Sequence, residues 1–466
     1  MTLSIRTCAI VLSLIATTTI PHSLFGQSQP AFEKGHNHHH YRLIDLGTFG
    51  GPASYFPNGL DGFFNNHGTA AGWADTSTPD PYPAFCFNPS CFVSHAFLWR
   101  DGSLKDLGTL PGGSSSQAFW ISQNGLIIGN SQNGEIDPLI PGLPENRAVL
   151  WQHGHIVDLG TLEGGYESLG SAVNDRGQVV GIFNNTIPDP FSMIGDGYQA
   201  RAFLWQNGVM QDLGTLGGPD AVAVAVNEEG QIAGLSYTNS TPNSVTGYPT
   251  QDPVLWTDGK IMDLGTLGGT AGYPTGFNDR GEVIGQSNVA GDLNFHPFLW
   301  TMAGGIQDLG TFGGNNGTTN WINNRGEIAG KADLPGTLPQ THDGFLWRNG
   351  AKIDLGTLPG DSCSNAYFVN SRGQVVGTSE DQEYCFFPDP VGQHAFLWEE
   401  GGPMIDLNTL IHPDSGLQLT YAVAINDKGE IAGFGVPNGV AAKDYEQKGH
   451  AFILVPCDRN DAECDH

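Results

Sequence analysis

The stretch that decides the fold is "HAFLWRDGSLKDLGTLPGG" at residues 95–113, which returns as "RAFLWQNGVMQDLGTLGG" at 201–218. The word "DLGT" begins at 45, 106, 158, 212, 263, 308 and 354, with "DLNT" at 406, so consecutive copies lie 45 to 61 residues apart. That is the period of one propeller blade. After each copy come a small-residue loop and a short apolar segment ending in a turn such as "NDRG" (174, 278), "NNRG" (323), "NSRG" (370) or "NDKG" (426). Then follow "QVVG", "EVIG" or "EIAG", a variable loop, and the "HAFLW" word at 95, 201, 296 and 394, with degraded copies at 147 and 450.

Each unit therefore offers four short strands: A into the "NDRG" turn, B as "QVVG", C as "HAFLW" and D into "DLGT". Between C and D stand "RDGS", "QNGV", "TDGK" and "RNGA", whose Asp-Gly or Asn-Gly supplies the positive φ angles of a two-residue hairpin. A four-stranded meander cannot bury both faces alone, so it must stack on its neighbours. A β-solenoid, the competing architecture, runs in parallel coils and has no use for these hairpins. The expectation is an all-β, eight-bladed β-propeller of four-stranded antiparallel blades over 41–456. Its seam blade is closed by the N-terminal strand "YRLIDLGT" (41–48) joining the C-terminal strands "YAVAIN", "GEIAGF" and "HAFILV".

Composition agrees. Charged residues are 14 %, against 66 Gly and 29 Pro, which favours turns over long helices. Residues 1–26 read as a signal peptide, with Arg6 ahead of an apolar run from Cys8 to Ile20, too short and wrongly flanked for a membrane span. Cleavage moves the formal charge from −29 to −30 by removing Arg6, a balance that argues against nucleic acid and anionic membranes. The expected product is a monomer outside the cytoplasm.

Six cysteines follow the signal: Cys86, Cys91, Cys363, Cys385, Cys457 and Cys464. An even number in an exported chain points to disulfides. Local spacing favours Cys86–Cys91 and Cys457–Cys464, leaving Cys363 with Cys385; the last two reach the same face of the ring in one blade. A linker at 27–40 carries "HNHHH", so His36, His38, His39 and His40 are weak metal candidates. Residues 457–466 form a C-terminal tail.

The "HAF" core of strand C followed by "DLGTLGG" resembles the HAF repeat family of extracellular bacterial repeat proteins, over essentially the whole of 41–456. The resemblance implies secretion and a repeat architecture, and carries no activity with it.

Candidate chemistry is sparse. Register from the Asp101-Gly102 turn sets His95 diagonal to Asp106, and likewise Arg147 to Asp158, Arg201 to Asp212 and His394 to Asp406. A pair repeated around a ring reads as architecture, and Asp252 and Asp343 replace the His in two units. "GTLGG" lacks the Lys and following helix of a phosphate loop. No "GxSxG", "HExxH" or "DxDxDG" motif occurs.

Recognition is expected on the face that carries the long B-to-C loops, the other face being all tight hairpins. Three of these loops share "PDP" beside aromatics, which makes Asp80, Tyr82, Phe85, Asp189, Phe191 and Asp389 the ligand-binding candidates. The plainer reading is that Pro-Asp-Pro simply stiffens a loop. No cofactor is implied, while calcium stays open as an oxygen-ligated ion. The expected function is non-enzymatic binding of a surface or matrix glycan or protein. The rivals are a polysaccharide-cleaving hydrolase or lyase with carboxylates at the mouth, and a purely structural repeat protein.

Overall fold

The computed structural model describes residues 40–57, 62–83, 86–162, 164–336, 341–380, 385, 392–441 and 444–457. The expected signal peptide and the candidates His36, His38, His39, Phe85, Asp389 and Cys464 lie outside the described residues.

The described strands form antiparallel sheets of four, each a meander, and the architecture is a β-propeller. Blade 1 runs Gly50–Tyr55, Ala70–Pro79, Phe92–Arg100 and Ser103–Asp106 as strands A to D. Blades 2 to 7 repeat the order over 116–158, 168–212, 221–263, 268–308, 317–354 and 363–406. Blades 4 and 5 touch edge to edge through one parallel pairing, Gln251 with Ala271, and so share a sheet. The eighth blade is the expected seam: Leu417–Ile425, Ile431–Pro437 and His450–Pro456 are completed by Tyr41–Asp45. There Leu43 pairs with Leu454 and Asp45 with Phe452.

The C-to-D hairpins turn as their residues require. Asp101 and Gly102 hold φ of 50° and 78°, and Asn207 and Gly208 hold 53° and 83°, a conformation that Asp or Asn followed by Gly adopts at least cost.

The repeated words are anchoring devices. In all eight copies of "DLGT" or "DLNT" the Asp Oδ1 accepts the backbone N–H two residues on, at 2.6–2.8 Å. The Leu that follows sends its N–H to strand C, as Leu107 does to Ala96 O at 2.9 Å and Leu46 to Ala451 O at 3.0 Å. The Phe of "HAF" is fully buried in six blades: Phe97, Phe203, Phe298, Phe345, Phe396 and Phe452. Each lies opposite a strand-B glycine, such as Gly72, Gly181 or Gly377. A Cβ on Gly377 would meet the Phe396 ring at 2.7 Å and the carbonyl of Asn365 closer still. Only glycine lets the ring lie flat on strand B.

The Asn of the "NDRG" turns links blades to each other. Asn174 Nδ2 donates to Asn227 O, Asn227 to Asn278 O, Asn278 to Asn323 O, Asn323 to Asn370 O and Asn370 to Asn426 O. Asn426 then donates to Asn65 O in blade 1, and Asn65 to Ser122 O in blade 2. The series thus passes from the last blade back to the first. It surrounds the hairpin end of the inner strands, where the strands A of blades 2 to 8 pack each on the next.

Candidate functional site: the long-loop face

The two faces of the ring differ in kind. One consists of A-to-B and C-to-D turns, while the other carries every B-to-C loop and D-to-A crossing. On the second face the blades are themselves unequal. Strand B is ten or eleven residues long in blades 1 to 4 and six or seven in blades 5 to 8. In the four long strands the last three residues are exposed, and strands B and C still pair beyond an irregularity at Pro79–Phe92, Ile136–Pro144, Pro188–Tyr198 and Pro242–Pro249. Half of the ring therefore bears a palisade of hairpin arms. Their tips expose apolar side chains, among them Ile187 at 52 % and Tyr248 at 57 %.

Charge on this face is one-sided. The loop segments 74–94, 131–146, 183–200, 236–251, 286–295, 332–342 and 379–393 contain no Lys or Arg; Lys443 and Lys448 in the eighth are the exceptions. This signal is visible in the sequence once the loops are located.

Two of the PDP aspartates, Asp80 and Asp189, turn inward. Asp80 is 7 % exposed; its Oδ1 accepts from Tyr82 N at 2.8 Å and its Oδ2 from Phe87 N at 3.2 Å. Asp189 is 5 % exposed and accepts from Phe191 N at 2.8 Å. Asp137 of "EIDP" accepts from Leu139 N, and Asn243 from Val245 N, so all four arms open with the same side-chain turn. Tyr82 and Phe191 are half-buried, and Phe191 O accepts from the Tyr237 hydroxyl of the next blade at 2.9 Å.

The Cys86–Cys91 bridge forms, with Cα atoms 5.0 Å apart. It shapes a loop whose buried Asn88 accepts from Trp73 Nε1 in blade 1 and Gln117 Nε2 in blade 2, at 2.9 and 2.8 Å. Cys363 and Cys385 are likewise bridged, with Cα atoms 6.1 Å apart. Cys457 is in disulfide linkage, and its expected partner Cys464 lies outside the described residues. His342 places a ring nitrogen within 4.8 Å of both sulfurs of the Cys363–Cys385 bridge. Those sulfurs are committed to each other and are not ligands in that state. His40 is exposed, its carbonyl accepting from Cys457 N.

The strand C and D pairs follow the expected register in part. His95–Asp106 and Arg201–Asp212 meet at 2.8 Å, as do His296–Asp308, and His450–Asp45 meets at 3.0 Å. Two pairings differ from expectation. Arg147 holds Glu145 at 2.8 Å, two residues away on its own strand, and His394 holds Asp361 of the preceding crossing at 3.2 Å. Asp406 instead caps the short turn Leu407–Thr409.

Where Asp replaces His, two carboxyls face each other. Burial and then Asp263 push Asp252 up to about 6; burial and then Asp354 push Asp343 up to about 7. Asp75, fully buried beneath the first arm, is pushed up to about 7 by burial.

No family model matches the chain, and no curated protein matches it. Among solved structures it is similar to Pyrococcus horikoshii acylaminoacyl peptidase (11 % identity, TM-score 0.41, 83 % of this chain and 58 % of that one). It is also similar to Porphyromonas gingivalis dipeptidyl peptidase 4 (11 %, 0.44, 75 % and 56 %) and to a PL25 polysaccharide lyase, an ulvan lyase (9 %, 0.30, 82 % and 84 %). The chain thus spans little more than half the length of either peptidase. Among the described residues, no helix is long and apolar enough to cross a membrane.

Proposed function

We propose that this chain is an exported HAF-repeat propeller that acts as a non-enzymatic binding module. Its long-loop face engages a surface or matrix component, a glycan or a protein. The observation that carries the reading is the palisade on blades 1 to 4, a one-sided set of exposed arms on an otherwise regular ring. Scaffold needs alone do not call for it, since among the described residues blades 5, 6 and 8 hold the same architecture with a strand B of six or seven residues. Rigid elements presenting variable loops are where recognition concentrates. The arms are stiffened by Pro, by the Asp and Asn side-chain turns and by the Cys86–Cys91 bridge, which lowers the ordering cost of binding.

The test is to replace 80–91 and 189–197 with two-residue turns and to assay retention on a panel of polysaccharides and extracellular proteins, scoring released reducing ends in the same wells. Retention by the parent chain that disappears in the trimmed one, with the trimmed chain still melting cooperatively, supports the reading. Release of reducing ends by the parent would overturn the non-enzymatic part, and equal retention by both chains would overturn the assignment to the arms.

A further inference from the structure

Two blade junctions share an arrangement that the others lack. In the D-to-A crossing, the residue just before strand A turns its side chain back to accept a backbone N–H from strand C of the blade it has left. Ser115 Oγ accepts from Ser94 N at 3.3 Å, and Asn316 Oδ1 accepts from Phe295 N at 3.1 Å. At the same position between blades 2 and 3 stands Glu167, and between blades 3 and 4 stands Asp220. Their carboxyls stand beside the backbone of Asn146 and Ala200 in strand C.

Each of these acids has as its acidic neighbour the aspartate that opens the arm of the blade it has left. Asp220 and Asp189 lie within hydrogen-bond reach of each other, and Asp137 is the charged neighbour that acts most on Glu167. One oxygen of each arm residue is spent on its own loop, at Leu139 N for Asp137 and at Phe191 N for Asp189. Asp220 Oδ2 accepts from Met193 N at 2.7 Å. The remaining oxygens, Asp137 Oδ2, Glu167 Oε1, Asp189 Oδ2 and Asp220 Oδ1, are buried and have no hydrogen-bond partner. Asp137 and Asp220 are both 0 % exposed.

Basic side chains nearby do not resolve this. Arg147 is bound to Glu145 and Arg201 to Asp212. Buried carboxylate oxygens facing one another without a donor carry a large desolvation cost, and a positive species between them removes it. We propose that the pairs Asp137–Glu167 and Asp189–Asp220 each bind one divalent cation of calcium's chemistry beneath the arms of blades 2 and 3. The donors are all oxygen, with neither imidazole nor thiolate, which suits a hard cation. Two carboxylates match its charge, and Asn146, whose backbone adjoins Glu167, carries an Oδ1 that is also buried without a partner. Backbone carbonyls and water complete a coordination shell of about six to eight oxygens. Because Asp137 and Asp189 also fold their own loops, the ion would pin both arms.

The experiment strips the whole secreted protein with EDTA, removes the chelator, and counts bound calcium by equilibrium dialysis and native mass spectrometry at pH 7.5. Two ions per chain are expected. Asp220→Ser and Glu167→Ser should each retain one, and the double variant none. Serine is the residue that blade 1 already uses at this position to accept the same backbone N–H, so the crossings should fold; melting in EDTA checks it. Added calcium should raise the melting temperature of the parent and leave that of the double variant unmoved. No calcium bound by the parent, or a stoichiometry indifferent to the serine substitutions, overturns the proposal and leaves each pair sharing a proton. Since the count needs no partner, it stands or falls separately from the binding assay.

Discussion

Asn426 in the last blade donates its side-chain Nδ2–H to the backbone carbonyl of Asn65 in the first, 3.3 Å away across 361 residues of sequence. The same side chain accepts from Lys428 N and Glu430 N, both at 3.0 Å, folding its own turn while it closes the ring. Asn426→Ala removes both roles and leaves buried backbone groups unpaired, at a cost of about 2 kcal/mol. Asn426→Asp keeps the acceptor that folds the turn but loses the donor to Asn65 O and to Glu430 Oε2, and sets a second carboxylate against Glu430. Urea melts should rank the parent above both variants, with hydrogen exchange in Tyr41–Asp45 accelerated in both. Unchanged exchange there would show that the latch holds without the asparagine.

The glycine under the "HAF" phenylalanine sets a second limit. Gly377→Ala forces a methyl against Phe396 and against the Asn365 carbonyl inside a packed blade. Overpacking of this kind typically costs about 1–3 kcal/mol, and the backbone contact places the change at the upper end. Gly402→Ala, where the nearest atom is Glu399 O at 3.5 Å and φ is ordinary, should be close to neutral. Equal melting temperatures for the two variants would refute the packing argument.

How far these features are legible in the sequence depends on range. Asp101-Gly102 announces its hairpin because two adjacent residues determine the turn, and the "DLGT" count fixes the blades because each word does the same local job. Strand register sets His394 diagonal to Asp406 but does not reach past the strand ends, where Asp406 is drawn into capping Leu407–Thr409 and Asp361 arrives from the preceding crossing. Glu145 took Arg147 for a similar reason, being two residues away on the same face of one strand. Nothing local in the sequence marks Glu167 and Asp220. They sit in plain crossings, "GGYES" and "GGPDA", and meet Asp137 and Asp189 only once blades are stacked.

The Cys86–Cys91 bridge closes a short loop, so its loss removes about 2 kcal/mol of chain-entropy stabilisation. Asn88, between the two cysteines, ties the same loop to Trp73 and Gln117. Cys86→Ser with Cys91→Ser should leave the blades intact, since the loop lies outside every strand, yet redden the Trp73 emission as its Nε1 loses Asn88 to water. Asn88→Ala alone should reproduce the spectral shift while keeping the disulfide. A blue-shifted or unchanged emission in both variants would mean the loop is held by something else.

The pH dependence should run opposite to ordinary acid-paired proteins. Asp75, Asp252 and Asp343 have folded pKa values of about 7, 6 and 7, raised from 3.8 by burial first and, for the last two, by a facing Asp. A raised acid holds its proton longer in the folded state, so its contribution is full below about pH 4 and disappears as pH climbs through 6 to 7. Thermal melts in chelator-treated buffer should fall from pH 5 to pH 8. Asp343→Asn should flatten the curve and gain about 1 kcal/mol or more at pH 8 by removing a charge that must otherwise ionise beside Asp354. Asp343→His goes further, installing the pair that His95 and Asp106 form in blade 1, and should stabilise the protein at pH 7 at least as much as the Asn variant. A melting temperature that rises with pH over this window, or an Asp343→His variant less stable than the parent, would show that these carboxyls are not neutral in the folded state.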